Sequence, residues 1–278
     1  MEIIGETITQ LYVKTLQALY DSPEKGSRLG TTKELLDPTL ILKNPRTRRI
    51  TEPIRRQSMS YVVNEIKWYL SGHYEVEEIA QRAKFWYEVA DKLDHRVYSN
   101  YGAKLFHEKV RGYTQFERVL AEMQKSINSR RGVFFFSLYP IDYVWMSSAP
   151  DFVCTVYGHI ILNHEGKLDL YVYMRSNDIN WGWGNDVPFF TLIQEMFATK
   201  LHVPMGEYHH HSGSLHIYEK FYKKLEGRKY EYFNIAEETP FAPMCEQDVD
   251  DLIAQKYDSD SSFMKSFRKW DEVGVDAA

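Results

Sequence analysis

The stretch DFVCTVYGHIILN carries Cys154, one of two cysteines in the chain, in a run that reads as a β-strand. A second strand, EGKLDLYVYMR, ends on Arg175. A thiol becomes a nucleophile when a nearby cation favours its thiolate, and a hairpin would bring Arg175 alongside to serve as that cation. The ordinary alternative is an inert thiol inside a strand. The segment after this strand has an unusual composition: RSNDINWGWGND, residues 175–186, crowds an arginine, a serine, aspartates and asparagines among tryptophans and glycines. One strand therefore delivers a polar cluster into an aromatic loop.

Glu65 is the next candidate. In SMSYVVNEIKWYLSG the apolar residues recur at helical spacing, and Val62 and Tyr69, at −3 and +4 from Glu65, lie on the apolar stripe. A carboxylate on that face is costly unless it has a partner or a job. Periodicity alone favours the plainer account, a boundary glutamate that reaches water. Arg130 and Arg131 in NSRRG, and Arg28 in KGSRLGTT, carry guanidinium forks suited to phosphate, against the common alternative of solvated basic turns. In EYHHHSGSLHIY three consecutive histidines cannot all face one metal from an extended backbone. With no HExxH and no paired CxxC, no metal site is expected. His216 and Tyr218, two apart in a strand, share a face and can together hold a hydroxyl.

These residues need elements to position them. The N-terminal MEIIGETITQLYVKTLQALY reads as an amphipathic helix, not a signal peptide. DSPEKGSRLGTTKELLDPTLILKNPRTRR reads as a loop and then a short strand at TLILK. The Glu65 helix stops at Gly72, and YTQFERVLAEMQKSI is a second amphipathic helix. GVFFFSLYP is a strand ended by Pro140; two strands joined at NHEGK come next. DVPFFTLIQEMFATKL is a helix with Pro188 in its first turn, and SGSLHIYEKFYKKLEG runs from strand into helix. Strands and helices mix without a regular βαβ beat, so the class is α+β, in a single domain spanning residues 1–278.

Composition narrows the function classes. A hydrophobic fraction of 44% in 278 residues supports a real core. A net charge of −5 supplies no global field for nucleic acid or anionic membrane, so any phosphate must be held by local arginines. Two cysteines make no disulfide framework and suit the cytoplasm. No apolar run approaches the ~20 residues of a membrane span. The aromatic content of 15% suits flat ring-shaped ligands, although aromatic cores are the commoner cause.

In order along the chain, NEIKWYLSG, NYG at Asn100–Gly102, NSRRG, DFVCT, MRSND with Asp186 eight residues later, and GSLHIY resemble the thymidylate synthase superfamily. The resemblance covers roughly residues 26–225 and is nearest to its deoxycytidylate hydroxymethylase branch, known from phages. It implies a thymidylate synthase fold, a mixed sheet packed with helices, and a homodimer joined through the sheet. Cys154 would be the nucleophile that adds to carbon 6 of the pyrimidine, with Glu65 organising water and moving protons at the base. Arg28, Arg175 and Ser176 would hold the phosphate, with Arg130 and Arg131 contributed by the other subunit. His216 and Tyr218 would hold the 3′-hydroxyl. Asp178 and Trp181 would meet the folate, methylenetetrahydrofolate being the cosubstrate.

Two departures from ordinary synthases bear on the substrate. Counting from Arg175, the base-reading position that is usually Asn is Asp186, and the residue after the nucleophile is Thr155 instead of His. An ionised aspartate only accepts hydrogen bonds, which suits the cytosine amino group and opposes the uracil carbonyl. The expected reaction is hydroxymethylation of dCMP in a host cytoplasm. The rivals are a methylase of dCMP or dUMP that releases dihydrofolate, and a catalytically silent nucleotide-binding regulator.

Overall fold

The computed structural model describes residues 1–137, 152–226 and 239–272. Pro140 and the last six residues lie outside them. A six-stranded sheet is ordered β1 (Glu2–Gly5), β4 (Thr39–Leu42), β11 (Met205–Ser212), β9 (Leu168–Met174), β8 (Thr155–Leu162) and β7 (Val133–Phe135). The β1–β4 and β9–β11 pairs are parallel and the others antiparallel. A four-stranded sheet has the order β10 (Asn177–Asp178), β12 (Ser214–Tyr218), β3 (Gly30–Leu36) and β2 (Glu24–Ser27). A short hairpin pairs β5 (Lys109–Val110) with β6 (Tyr113–Thr114). Helices are α1 (Ile8–Tyr20), α2 (Met59–Ser71), α3 (Val76–Ala80), α4 (Trp86–Val89), α5 (Gln115–Lys125), α6 (Gly184–Lys200), α7 (Glu219–Tyr222), α8 (Glu246–Ile253) and α9 (Ser262–Glu272). Mixed sheets with helices between them are the α+β arrangement expected.

Two expectations change. The N-terminal helix starts at Ile8, because residues 2–5 pair as a strand with β4 and Thr7 caps the helix by accepting from the Gln10 N–H. The segment read as loop before TLILK is the β2–β3 hairpin. Its Gly, Pro and charge content masks a ladder that the pairing of β3 with β12 stabilises from outside the segment. The β8–β9 hairpin turns at residues 163–167, as the sequence indicates. Gly72 ends α2 with φ 72°, a left-handed cap that glycine adopts without the Cβ penalty.

Helix α6 explains how the site is anchored. Almost every residue from Asp186 to Ala198 is buried, so it is a central helix without a polar stripe. It packs on β9 and β11 on one side and on α2 and α8 on the others. Phe189, Phe190 and Phe197 are sealed from solvent, each contributing about 1.5–3 kcal/mol of burial. Rigid packing of α6 fixes the first turn that carries Asp186, and its contact with α2 brings Glu65 to the same end.

Candidate active site

Cys154 sits one residue before β8, not within it, and its carbonyl accepts from the Arg175 N–H at 2.9 Å. The Arg175 guanidinium folds back over this junction. Its Nη2 lies 3.5 Å from the Cys154 Sγ and 2.5 Å from the Phe152 carbonyl oxygen; its Nε donates to the Val153 carbonyl. The thiol therefore has the cation that its sequence context called for. Ser176 is half-buried between Arg175 and Asn177.

The other end of the segment forms a second cluster. Glu65 is 6% exposed, so the account in which it reaches water fails. Tyr61 donates to its Oε1 at 3.3 Å, Trp86 donates to the Tyr61 hydroxyl at 2.9 Å, and Tyr69 also hydrogen-bonds the carboxylate. Burial, then the charge of Asp186, push the Glu65 carboxyl up to about 8, and the tyrosine hydrogen bonds and Arg55 only partly offset this. Asp186 is also buried, and burial lifts it to about 7 against one opposing hydrogen bond, from Asn177 Nδ2 at 2.8 Å. Helix α6 begins at Gly184, so Asp186 lies inside the first turn and is not its N-cap.

Between these clusters the chain makes one π-turn, Ile179–Trp183, the kind of local insertion that often marks functional sites. Asp178 caps it, its Oδ1 accepting from the N–H groups of Asn180 and Trp181. Its Oδ2 is buried without a partner among the described residues, and burial raises its carboxyl. Trp181 is 46% exposed and stands on a small aromatic shelf: Phe85, Tyr218 and Phe221 pack around it, and the Lys220 Nζ lies 3.8 Å over its ring.

Strand β12 brings His216 and Tyr218 to one face, ring centroids 5.2 Å apart. Tyr218 is close enough to Asp178, Arg28 and Cys154 to feel all three charges, which after burial are what shift its hydroxyl. Arg28 is exposed at the tip of the β2–β3 hairpin, and its charge acts on the Tyr218 hydroxyl. Arg130 and Arg131 are exposed before β7. Arg131 lines a cavity of about 680 Å³ with Tyr113, Arg118 and Glu122, and none of the Cys154 or Glu65 clusters lines it. The histidine run splits across the sheet. His209 stacks on Tyr171 at 4.3 Å, while His210 is buried on the opposite side between Tyr208 and Ser212. Among the described residues no group of three or more His, Cys, Asp or Glu side chains is set to hold a metal. Nor is any helix among them long and apolar enough to cross a membrane.

Four residues escaped the sequence reading: Tyr61, Trp86, Asn177 and Arg55. Tyr61 and Tyr69 stand four residues on either side of Glu65, a helical spacing that puts both phenols on its face and could have been read as polar handles. Arg55 donates to Asn185 and rests against Gly184; no local pattern marks it.

The thymidylate synthase profile matches residues 40–265. The chain belongs to the thymidylate synthase family. It is 28% identical over 171 residues to the deoxycytidylate 5-hydroxymethyltransferase of Enterobacteria phage T6, covering 58% of this chain and 68% of that one. It is 27% identical over 262 residues to the deoxyuridylate hydroxymethyltransferase of Bacillus phage SP01, covering 90% of this chain and 67% of that one. A thymidylate synthase from Vesicomyosocius okutanii is 26% identical over 168 residues, 59% of this chain and 62% of that one. Family membership makes the protein an enzyme of one-carbon transfer to a pyrimidine nucleotide. The family binds a nucleotide monophosphate and uses methylenetetrahydrofolate.

Proposed function

We propose that the protein hydroxymethylates dCMP at carbon 5. The observation that carries this reading is Asp186: a carboxyl buried at the base-reading position, where an asparagine is usual, with one of its oxygens engaged by the Asn177 amide. Its ionised form accepts from the cytosine amino group and offers no donor to a uracil carbonyl. An unmet buried carbonyl costs about 1–3 kcal/mol.

In this reading Cys154, with its thiolate favoured by Arg175, adds to carbon 6 and makes carbon 5 nucleophilic. The folate supplies a one-carbon unit at the oxidation level of formaldehyde. The orphaned Asp178 Oδ2 and the exposed Trp181 ring fit a flat heterocycle with N–H donors, so the residues present suit that cosubstrate. Glu65, with a proton affinity poised near neutrality, holds water and accepts the proton lost from carbon 5. That proton loss releases tetrahydrofolate and leaves an exocyclic methylene group on carbon 5, to which water adds as Cys154 leaves carbon 6, giving 5-hydroxymethyl-dCMP. Arg28, Arg175 and Ser176 hold the phosphate, and His216 and Tyr218 hold the deoxyribose hydroxyl. Arg130 and Arg131 reach the partner's site in a homodimer. Mixing inactive Cys154→Ser with inactive Arg131→Ala under subunit exchange then regains one working site, and silence despite proven exchange removes the shared site.

A second reading, dUMP as substrate, is favoured by the lift of Asp186 to about 7, since a neutral carboxyl can donate to the uracil carbonyl. Incubating the enzyme with methylenetetrahydrofolate and dCMP, CMP or dUMP, and weighing the product, separates these outcomes. A methyl product with dihydrofolate absorbance replaces the proposal with methylation, and no product from any nucleotide replaces it with a silent binder. In Cys154→Ser, turnover should fall by about 10³-fold or more with nucleotide binding kept; near-normal turnover removes the covalent mechanism.

A further inference from the structure

Asn177 lies between the Arg175 end and the Asp186 end of the site. It is 5% exposed on β10, and its Nδ2 donates to Asp186 Oδ2 at 2.8 Å. Its own Oδ1 is buried without a hydrogen-bond partner among the described residues. The contact depends on Gly182: a Cβ at that position would stand 2.7 Å from Asn177 Nδ2 and 3.2 Å from Asp186 Oδ2. Three positions, 177, 182 and 186, are therefore matched to one another around a single hydrogen bond.

We propose that Asn177 is a specificity-determining positioning residue, which by donating to Oδ2 of Asp186 leaves Oδ1 as the oxygen that meets the base and keeps it an acceptor. This rests on the assignment of Asp186 as base reader. The chemistry comes from counting donors. A carboxylate with one oxygen occupied by an amide donor presents a single acceptor, which fits the cytosine amino group. If the carboxyl takes a proton, Oδ2 is already engaged, so the proton resides on Oδ1 and turns the face toward the base into a donor. That donor fits the uracil carbonyl. Asn177 thus sets both which atom reads the base and how readily it changes sign. The open Oδ1 of Asn177 adds a second acceptor beside Asp186, the complement of an amino group with two N–H bonds.

Among the described residues the Asn177 hydrogen bond is what opposes the effect of burial on Asp186. The titratable groups that face it are Glu65, Tyr61 and Tyr69 from α2 and Tyr208 from β11, all of which are acids. Arg55, on the segment leading into α2, sits against Gly184 and not on the carboxylate. Loss of the Asn177 donor therefore favours the protonated form of Asp186, since burial is then unopposed.

The test is the dCMP-to-dUMP preference from pH 6 to 9, read as kcat/KM and, independently of turnover, as the ratio of dissociation constants. Asn177→Ala removes the donor. Asn177→Asp keeps the shape and sets a second carboxyl against Asp186, so that the pair holds a proton to higher pH. Both should lower the preference for dCMP at pH 7.5 by about tenfold, the effect of about one unit of proton affinity, and move the pH at which preference changes upward. Gly182→Ala should act in the same direction. A preference and a pH midpoint unchanged in both Asn177 variants overturn the inference. Asp186→Asn separates the levels: if it shifts the preference and the Asn177 variants do not, only the inference falls; if it shifts nothing, the base-reader assignment falls with it.

Discussion

Helix α6 carries two buried acids, Asp186 in its first turn and Glu195 about two and a half turns on, and they stand in opposite electrostatic surroundings. Glu195 accepts from Arg46 Nε at 2.7 Å and from Arg48 Nη2 at 2.6 Å, and Arg48 is as buried as its partner. Burial by itself would raise the Glu195 carboxyl, but the charges and hydrogen bonds of Arg48 and Arg46 outweigh it and hold the carboxyl below its ordinary value. Burial raises both Asp186 and its neighbour Glu65, the charge of Asp186 raises Glu65 further, and the hydrogen bonds and Arg55 only partly offset this. One end of the helix is built to stay charged. The other is built to exchange a proton. The difference separates a carboxylate that holds the fold together from one whose environment suits chemistry near neutral pH.

The largest effect is expected where the charge is compensated. Glu195→Gln leaves Arg48 buried with no anion and weakens the hold on Met244, whose N–H donates to Glu195 Oε1. Losing one member of a buried pair costs about 3–5 kcal/mol. Urea unfolding at pH 7 should show that loss, and it should shrink as pH falls. The wild-type stabilisation is present above the unfolded carboxyl value and disappears as pH drops through the lowered folded one. A variant as stable as wild type at pH 7 would erase the contrast between the two ends of α6.

Glu65→Gln should do the reverse. The unfolded chain releases this proton near 4.5, whereas the folded chain keeps it to about 8, so the side chain lowers stability progressively as pH rises across that window. Replacing it should stabilise the protein by about 4 kcal/mol at pH 8 and by little below pH 4.5. Turnover should collapse in the same variant. Thermal unfolding at pH 4.5 and pH 8 checks the sign; a variant that is less stable than wild type at pH 8 would mean that Glu65 is held charged by a partner, as Glu195 is.

How much of the molecule was legible depends on the range of the interaction. Cys154 and Arg175 could be read as neighbours because a hairpin brings them together, and hairpins leave a local pattern; Asp178 was singled out only by the family resemblance. The cap at Gly72 and the face shared by His216 and Tyr218 were local in the same way. The Arg48–Glu195 pair was not legible, since an arginine in NPRTRR looks like a solvated turn until α6 is laid across it from 147 residues away. The hairpin at residues 24–36 was hidden for a related reason: its β3 strand finds its second neighbour in β12, near residue 216. Asn177 was in plain view inside MRSND but carried no signal of its own. Its importance comes from an atom on the next helix and from a missing Cβ at Gly182.

The smallest and sharpest effect is expected at Asp186. Asp186→Asn keeps the volume, and the new side chain's carbonyl oxygen can take over the Asn177 hydrogen bond, leaving its amide nitrogen for the base. That nitrogen is a donor at every pH, so it fits the uracil carbonyl and opposes the cytosine amino group. The dCMP-to-dUMP ratio of kcat/KM should fall by about ten- to a hundredfold, corresponding to about 1–3 kcal/mol for one mismatched buried contact. The wild-type ratio should rise with pH through about 7, as Asp186 loses its proton, and the variant's ratio should be flat across the same range. A wild-type ratio that does not change with pH would mean that Asp186 reads the base in one fixed charge state, as Glu195 holds its arginines, and the distinction between the two ends of α6 would then belong to Glu65 alone.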